Sequence, residues 1–159
     1  MYLVTGGAGF IGSNLVAALN EAGRGDVVVC DTLGNDGKWR NLAKRQLGDI
    51  VPPAELDGWL QGRRLDAVIH LGAISETTAT DGDLVIATNF RLSLRLFDWC
   101  AAHGVPFIYA SSAATYGDGT AGFADDNSLV ALRRLRPMNL YGWSKHLFDM
   151  AVVSRAARG

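Results

Sequence analysis

Three things are scarce in this sequence, and each scarcity argues against a class of protein. The 159 residues include only two cysteines, Cys30 and Cys100, which we expect to be buried free thiols, with a disulfide as the alternative. No apolar run reaches the roughly 18 residues that a membrane-spanning helix needs. The net charge of −1 and the pI of about 6.3 lack the basic excess of a typical nucleic-acid-binding protein.

Targeting and metal-binding signals are missing as well. The first ten residues, MYLVTGGAGF, have no basic segment, and glycines interrupt them before an apolar core develops, so we expect a cytoplasmic protein. His70, His103 and His146 share no metal-ligand spacing, so we expect no metal site. Apolar residues make up 48% of the chain and charged residues 19%, as in an ordinary soluble domain with a buried core.

Short apolar runs alternate with stretches of helical periodicity along the chain. Strands are predicted at 2–5, 26–31, 46–50, 66–72 and 105–112, and helices at 10–23, 83–103 and 139–158. The apolar faces of the first two helices are predicted to comprise Ile11, Leu15, Val16, Leu19 and Ala22, and Leu84, Ala87, Leu92, Leu96 and Phe97. This alternation predicts an α/β fold, a Rossmann-type doubly wound parallel sheet. Residues 112–138 are predicted to be a long functional loop over the C-terminal edge of the sheet.

The segment TGGAGFIG places Gly6, Gly9 and Gly12 between the first predicted strand and the first predicted helix. The N-terminus of a helix offers free N–H groups and the positive end of the helix dipole, which suits a pyrophosphate. Glycines permit the sharp turn, the close approach of the phosphate and the packing of the helix on the sheet. The pattern predicts a dinucleotide-binding turn, with a tight turn and helix cap as the alternative.

Asp31 ends the second predicted strand, where a carboxylate can bond the ribose hydroxyls of a dinucleotide. Its charge would repel a 2′-phosphate and so favours NAD. Lys38 and Arg40 lie just beyond and could neutralise that phosphate, which favours NADP. We expect NADP, with NAD tolerated; the alternative for the two basic residues is a solvated loop.

Tyr141 and Lys145 lie four residues apart in NLYGWSKHLF, and therefore on one face of the last predicted helix. A lysine ammonium beside a phenol favours the phenolate, which can accept a proton. Tyr141 could then take a proton from a sugar hydroxyl while a hydride leaves the same carbon. A core tyrosine with a surface lysine is the alternative.

Polar and small residues end the fourth and fifth predicted strands, at the edge where open α/β sheets bind ligands. Ser111 and Ser112 in YASSAATYG could hold a substrate oxygen against the tyrosine, or bond their own backbone. Gly72 in HLGA, with the alanine after it, would let a cofactor pass close. Thr77 and Thr78 could line the pocket or cap the following helix. We expect the histidine of HLGA to be packed or hydrogen-bonded rather than catalytic.

Together these segments resemble the extended short-chain dehydrogenase/reductase family of nucleotide-sugar enzymes. The resemblance rests on TGGAGFIG, the CD pair at 30–31, HLGA, YASSAATYG and YGWSK, and it runs along essentially all of the chain. The stretches ISETTATDGD, YASSAATYG and RPMNLYGWSKHLFD are similar in particular to the branch that epimerises an ADP-linked heptose. This implies NADP, an ADP-sugar substrate, a homo-oligomer at full length and a role in lipopolysaccharide synthesis, with no nucleic acid or membrane partner.

The resemblance also implies the roles of individual residues. It implies that the heptose carbon is oxidised and the keto intermediate is re-reduced on its other face, with Ser112, Tyr141 and Lys145 at the catalytic site. The implied cofactor-binding residues are Gly6, Gly9, Phe10, Ile11, Gly12, Asp31, Thr32, Lys38, Leu71, Gly72, Ala73, Asn89, Tyr141 and Lys145. The implied substrate-binding residues are Ser75, Thr77, Thr78, Ser111 and Ser112.

Related activities remain as alternatives. A UDP-galactose 4-epimerase shares the serine, tyrosine and lysine, and a regulator could bind the dinucleotide without catalysis. The related 4,6-dehydratases carry an Asp-Glu pair where this chain has Ala113 and Ala114, which argues against dehydration. Three basic residues could clamp a substrate phosphate or form a solvated loop: Arg133, Arg134 and Arg136.

The resemblance further implies chain beyond Gly159. Enzymes of this family continue through a sixth strand and a smaller C-terminal domain that grips the sugar nucleotide and, in the 6-epimerases, carries a second base, a lysine. On this basis we expect residues 1–159 to be a partial NAD(P)-binding Rossmann domain that is inactive alone.

Overall fold

The computed structural model describes residues 1–156, and strands and helices alternate along them. The strands are β1 (Tyr2–Thr5), β2 (Val27–Cys30), β3 (Asp49–Val51), β4 (Ala67–His70) and β5 (Phe107–Tyr109). The helices are α1 (Phe10–Glu21), α2 (Leu56–Trp59), α3 (Gly82–Val85), α4 (Leu92–His103), α5 (Leu129–Leu132) and α6 (Leu140–Ala156). Shorter 3₁₀ segments cover Lys38–Asn41, Pro53–Glu55 and Ala113–Tyr116, and a π-helical segment, Ile86–Arg91, joins α3 to α4.

All five strands form one parallel sheet in the order β3-β2-β1-β4-β5. In the register of this sheet, Val4 of β1 faces Val29 of β2 on one side and Ile69 of β4 on the other. The chain builds outward from β1 to β3, then returns to the other side of β1, so the strand order reverses between β1 and β4. This order is that of a Rossmann-type sheet, and the predicted fold class is confirmed.

The core of the sheet consists of β-branched and aliphatic side chains on its central strands. Leu3, Val4 and Val29 are fully buried. Such residues pack well on a pleated surface, and burial on both faces explains why β2 is apolar at every position. Val16 of α1 packs in one cluster with Val4 and Val29, on one face of the sheet.

Several predicted boundaries and faces need correction. The third strand begins at Asp49 rather than at 46, and β5 ends at Tyr109, before the two serines. On α1, Ile11 is 68% exposed, because Gly12, Ser13 and Val16 occupy the buried side of this helix. Residues 157 and 158, predicted to end the last helix, lie outside the described residues.

The buried face of the helix that spans α3, the π segment and α4 also differs from the prediction. Leu84 and Ala87 are exposed. Leu92 and Leu96 are buried as predicted, and two polar residues, Asn89 and Ser93, are buried beside them. A search for apolar periodicity alone therefore placed the first part of this face incorrectly, because the buried polar side chains interrupt it.

The chain divides into two compact units. The first comprises Met1–Gly72 and Cys100–Tyr109 and holds the whole sheet. The second comprises Ala73–Trp99 and the described residues from Ala110 onward. The predicted functional loop belongs to the second unit and contains two short structured segments, Ala113–Tyr116 and α5.

Both cysteines are buried, and both thiols are free, as expected. Burial raises the pKa of the Cys30 thiol to about 12, and the neighbouring Asp31 charge adds to this effect. Burial likewise raises the pKa of Cys100 to about 11. These thiols remain protonated at neutral pH and are unsuited to nucleophilic or redox chemistry. None of the helices within residues 1–156 is long and apolar enough to cross a membrane.

Candidate functional site

The glycine turn lies between β1 and α1 in the first unit. Gly6 has a φ of 67°, in the left-handed region that favours glycine, and its N–H donates to the Cys30 carbonyl oxygen at 2.8 Å. A Cβ added at Gly12 would overlap the Gly6 carbonyl oxygen. A larger residue at Gly12 would therefore force the helix away from the turn.

The first turn of α1 presents backbone N–H groups that no side chain caps. Gly9 is the N-cap residue and has no side chain to accept a hydrogen bond, and the first turn of Phe10–Glu21 contains no acidic residue. The side chains of Phe10 and Ile11 extend outward, and Phe10 is 85% exposed. Uncapped N–H groups and the positive end of the helix dipole suit this turn to an anion such as a pyrophosphate.

Asp31 follows β2 and reaches back to the glycine turn. One of its carboxylate oxygens accepts the Ala8 N–H at 2.9 Å, and the other lies 3.1 Å from Lys38 Nζ. The Lys38 ammonium also donates to the Thr32 carbonyl oxygen at 3.2 Å. Lys38 is therefore paired with the predicted ribose-binding carboxylate instead of extending freely into solvent. Its side chain is 37% exposed and remains accessible to a ligand.

The ends of β1 and β4 lie side by side where the strand order reverses. Thr5 Oγ1 accepts the Gly72 N–H at 3.0 Å and lies 2.6 Å from His70 Nδ1. His70 is buried and stacks on Phe107, which confirms that it is a packed, hydrogen-bonded histidine. A Cβ added at Gly6 would lie 2.7 Å from the Gly72 nitrogen. The two backbones therefore pack too closely for a side chain at Gly6, at a reversal of strand order of the kind where open α/β sheets bind ligands.

In the second unit, α6 carries Tyr141 and Lys145. Asn139 begins this helix, because its side-chain oxygen accepts the Gly142 N–H at 2.8 Å. Tyr141 is half-buried, whereas Lys145 is only 2% exposed. The alternative of a core tyrosine with a surface lysine is therefore wrong, since the lysine is the more buried of the two.

Burial of the lysine sets its electrostatics. Removal from water lowers the pKa of Lys145, and the negative charge of Asp149 opposes this effect by raising it. Burial also lowers the pKa of the adjacent His146, whose Nδ1 is buried without a hydrogen-bond partner among the described residues. A buried amine near a phenol on one helix can stabilise the charge that the phenol acquires when it loses a proton.

The two serines of YASSAATYG have different partners. Ser112 Oγ accepts the Ala114 N–H at 3.1 Å and caps the 3₁₀ segment Ala113–Tyr116. A bond to nearby backbone is the alternative that the sequence predicted for these serines. It leaves the Ser112 hydroxyl proton available to a ligand. Ser111 Oγ donates to Asp149 at 2.6 Å. The predicted substrate contact of Ser111 would have to compete with this bond.

Asn89 is fully buried in the π-helical segment Ile86–Arg91. Its side-chain oxygen accepts the Ile74 N–H at 2.8 Å, and its side-chain nitrogen donates to the Ile74 carbonyl oxygen at 2.9 Å and to Ser144 Oγ at 3.0 Å. The Ser144 hydroxyl donates in turn to the Tyr141 carbonyl oxygen at 2.7 Å. These bonds join the segment after β4 to the helix that carries the tyrosine and lysine.

The remaining predicted site residues lie at exposed or half-buried positions. Leu71 and Ala73 are half-buried, and Thr32, Ser75, Thr77 and Thr78 are exposed. The two threonines do not cap α3; Asp81 does so by accepting the Leu84 N–H at 3.0 Å.

The arginine cluster of the second unit is exposed. The Arg136 guanidinium donates to the Arg133 carbonyl oxygen at 2.7 Å and to the Leu135 carbonyl oxygen at 2.8 Å, as expected of a solvated loop. In the first unit, the Arg40 guanidinium lies 5.3 Å from the centre of the Trp39 ring.

Sequence reasoning missed two residues of the second unit, Asp149 and Ser144. Both are buried polar residues on α6. A signal for Asp149 was present, because it follows Lys145 by four residues in SKHLFD and must share its helix face. Within residues 1–156, no group of three or more His, Cys, Asp or Glu side chains is arranged to hold a metal ion.

Comparison with known proteins identifies the family. The NAD dependent epimerase/dehydratase family matches residues 2–159. The chain belongs to this family. A curated member, the ADP-L-glycero-D-manno-heptose-6-epimerase of Nitratidesulfovibrio vulgaris, is 49% identical to it over 154 residues, which cover 94% of this chain and 47% of the relative. The chain thus spans about half the length of the curated relatives that it matches.

Solved structures of family members share the fold. The ADP-L-glycero-D-manno-heptose-6-epimerase of Helicobacter pylori is 32% identical with a TM-score of 0.80, covering 97% of this chain and 50% of that one. The UDP-glucuronic acid 4-epimerase of Bacillus cereus, solved in complex with NAD, is 25% identical with a TM-score of 0.77, covering 99% of this chain and 51% of that one. The glycine turn and the Tyr141–Lys145 helix therefore belong to a fold that epimerases use.

Proposed function

We propose that this chain supplies the dinucleotide-binding and proton-transferring part of a nucleotide-sugar epimerase, specifically an ADP-D-glycero-D-manno-heptose 6-epimerase. The observation that carries the proposal is the buried Lys145 four residues after Tyr141 on α6. The names of the 49% and 32% identical relatives support the ADP-heptose substrate. The proposal includes a cytoplasmic, homo-oligomeric protein at full length whose product feeds lipopolysaccharide synthesis.

The residues of the first unit suit a nicotinamide dinucleotide. The uncapped first turn of α1 would hold the pyrophosphate, and the Asp31 carboxylate would bond the ribose hydroxyls. The glycine backbones at the ends of β1 and β4 offer close approach without side-chain obstruction. Such a cofactor, when bound, supplies reversible oxidation of a sugar carbon.

The second unit would supply the proton chemistry. Tyr141, as the phenolate, accepts the proton of the sugar hydroxyl that becomes a carbonyl, and later returns it to the oxygen of the epimerised sugar. The Lys145 ammonium favours the phenolate through its positive charge. The Ser112 hydroxyl donates to the substrate oxygen and steadies it while its own oxygen caps the 3₁₀ segment. Configuration inverts when the keto sugar is re-reduced on its opposite face.

We further propose that NADP is preferred and NAD is tolerated. The support is Lys38, whose ammonium pairs with Asp31 next to the expected position of the ribose. A 2′-phosphate would offer this ammonium a second anionic partner and offset the repulsion from the carboxylate. Without the phosphate, the same carboxylate can bond a ribose hydroxyl, so NAD also binds.

A fluorescence titration with NADPH and NADH tests the cofactor preference. Lys38→Ala is expected to weaken NADPH binding by about tenfold, the size of one charge-assisted contact, with little change for NADH. Lys44→Ala, which removes an exposed lysine nearby in sequence, is the matched control. An unchanged preference in the Lys38 variant would show that this lysine does not read the phosphate.

A chimera tests the activity, because the chain spans about half of its relatives. Residues 1–159 would replace the matching part of the N. vulgaris epimerase, and the product from ADP-D-glycero-D-manno-heptose would be analysed for the 6-epimer. We expect turnover by the chimera, none by the 159 residues alone, and a loss of about 100-fold or more in Tyr141→Phe. A folded chimera that binds cofactor but leaves the sugar unchanged would favour the regulator, and turnover of UDP-galactose instead would favour the 4-epimerase.

A further inference from the structure

Asp149 is a buried acidic residue in the second unit to which the proposed reaction assigns no step. It lies on α6, four residues after Lys145, and only 7% of its surface is exposed. Removing a carboxylate from water is costly unless hydrogen bonds and opposite charge compensate for the loss. Its surroundings supply both, and each compensating group belongs to the proposed catalytic segments.

The first compensation is a hydrogen bond to the serine segment. Ser111 Oγ donates to one Asp149 carboxylate oxygen at 2.6 Å, a short distance typical of a bond from a hydroxyl to a charged acceptor. Ser111 directly precedes Ser112, which would contact the substrate oxygen. This bond therefore ties the segment that carries Ser112 to the helix that carries Tyr141 and Lys145.

A second, independent contact joins the same two segments. Gly142 of α6 lies so close to the 3₁₀ segment Ala113–Tyr116 that an added Cβ would sit 2.6 Å from the Ala114 carbonyl oxygen. One end of α6 is thus held by backbone packing beside Tyr141, and the bond to Ser111 holds the helix two turns further on. Together they fix the spacing between the serine hydroxyl and the phenol.

The other compensation is the buried lysine. Asp149 and Lys145 share a face of α6, and the Asp149 charge raises the pKa of Lys145 against the lowering effect of burial. The other titratable groups on α6 are Tyr141, His146 and Arg155. The elements packed against this helix carry Asp83, Arg91 and Tyr116.

We propose that Asp149 is a positioning residue that provides the counter-charge of Lys145 and, through Ser111, fixes the Ser112 segment to α6. This inference rests on the proposed function for its catalytic meaning, but its charge relation to Lys145 is a property of the folded chain alone. The Asp149 charge opposes the lowering of the Lys145 pKa by burial, and so favours the charged form of the lysine that would act on the phenolate.

Lysine side-chain NMR tests this directly. The chain has only three lysines, Lys38, Lys44 and Lys145, so the ¹⁵Nζ–¹³Cε correlations of a labelled sample are few, and Lys145→Arg assigns the signal. In Asp149→Asn, we expect the titration midpoint of Lys145 to fall by about one pH unit or more, as for loss of a nearby opposite charge. Asp149→Glu, which keeps the charge, should restore most of the midpoint.

The matched control is Asp98→Asn, which removes an exposed carboxylate of the second unit that pairs with Arg155. The Lys145 midpoint should stay unchanged in this control. An unchanged midpoint in Asp149→Asn, or an equal shift in Asp98→Asn, would overturn the proposal.

A second variant and a readout that is independent of activity make every outcome of this experiment informative. If Asp149→Asn does not fold, Asp149→Ser removes the carboxylate with a smaller polar side chain, and a Lys145 midpoint identical to that of the unchanged chain would overturn the proposal. The titration requires no turnover. A chimera without epimerase activity would therefore contradict the proposed function and leave the test of Asp149 intact.

Discussion

At the scale of single residues, burial decides which polar side chains can take part in chemistry. Lys145 and Asp149 are buried on one helix face, where charge–charge effects are strong, whereas the arginines of the neighbouring loop are exposed and screened. The buried cysteines illustrate the opposite outcome, because burial raises the pKa of both thiols and suppresses their reactivity. Whether a titratable residue is a candidate for function therefore depends on its burial and on the charged and hydrogen-bonding groups around it.

Gly12→Ala tests the steric requirement of the glycine turn. The new Cβ would overlap the Gly6 carbonyl oxygen, so the helix must shift. We expect a loss of about 1–3 kcal/mol in the free energy of unfolding and at least about tenfold weaker dinucleotide binding. Urea denaturation and the NADPH titration measure these two quantities.

Gly58→Ala is the control for this substitution. Gly58 lies in α2, and a Cβ there would meet nothing within 4 Å. Because alanine favours helix and fills open space at this position, we expect unchanged or slightly higher stability and unchanged binding. Equal effects of the two substitutions would contradict the steric explanation.

At the scale of elements, the π-helical segment between α3 and α4 is unusual. It places the polar Asn89 on a buried face, and the three hydrogen bonds of this side chain join the segment after β4 to α6. Such single-turn π segments often occur at functional sites. Here the segment holds the backbone of the residue that would act on the sugar hydroxyl, through Ser144.

Asn89→Ala should therefore destabilise the chain strongly. The substitution leaves the Ile74 backbone groups and the Ser144 hydroxyl without their buried partner, and we expect a loss of at least about 2 kcal/mol in the free energy of unfolding. Asn14→Ala, at an exposed asparagine with one hydrogen bond to the Phe10 carbonyl oxygen, should change stability by less than about 0.5 kcal/mol. Urea denaturation of both variants measures the loss in the free energy of unfolding. Similar losses in the two variants would mean that the buried hydrogen bonds of Asn89 contribute little to stability.

At the scale of the whole molecule, the chain contains both the glycine turn of the first unit and the Tyr141–Lys145 helix of the second. The family matches residues 2–159 of the chain, and this range contains both the glycine turn and the helix. A ligand that binds only the folded chain shifts its unfolding equilibrium by mass action.

Thermal unfolding with and without NADPH tests this linkage. At a cofactor concentration of 100 times the dissociation constant, the stabilisation should reach about 2.7 kcal/mol and raise the melting temperature. At the same NADPH concentration, Gly12→Ala should show a smaller increase, because its altered turn binds the cofactor more weakly. A cooperative melt that NADPH leaves unmoved would contradict the assignment of the turn as a dinucleotide site.

The sequence by itself determined the features that depend on neighbouring residues. The apolar runs predicted the strands, TGGAGFIG predicted the turn before α1, and the spacing of Tyr141 and Lys145 placed them on one helix face. These predictions succeeded because strand alternation, glycine turns and helical spacing are local properties of the backbone.

Only the tertiary structure decided the partners of the polar side chains. Ser111 bonds Asp149 across 38 residues, and Asn89 bonds Ser144 across 55. Burial of Lys145 likewise depends on the elements packed around α6. No local pattern encodes such pairings, because they arise from how distant segments meet when the chain buries its apolar surface and must satisfy each polar group that it buries.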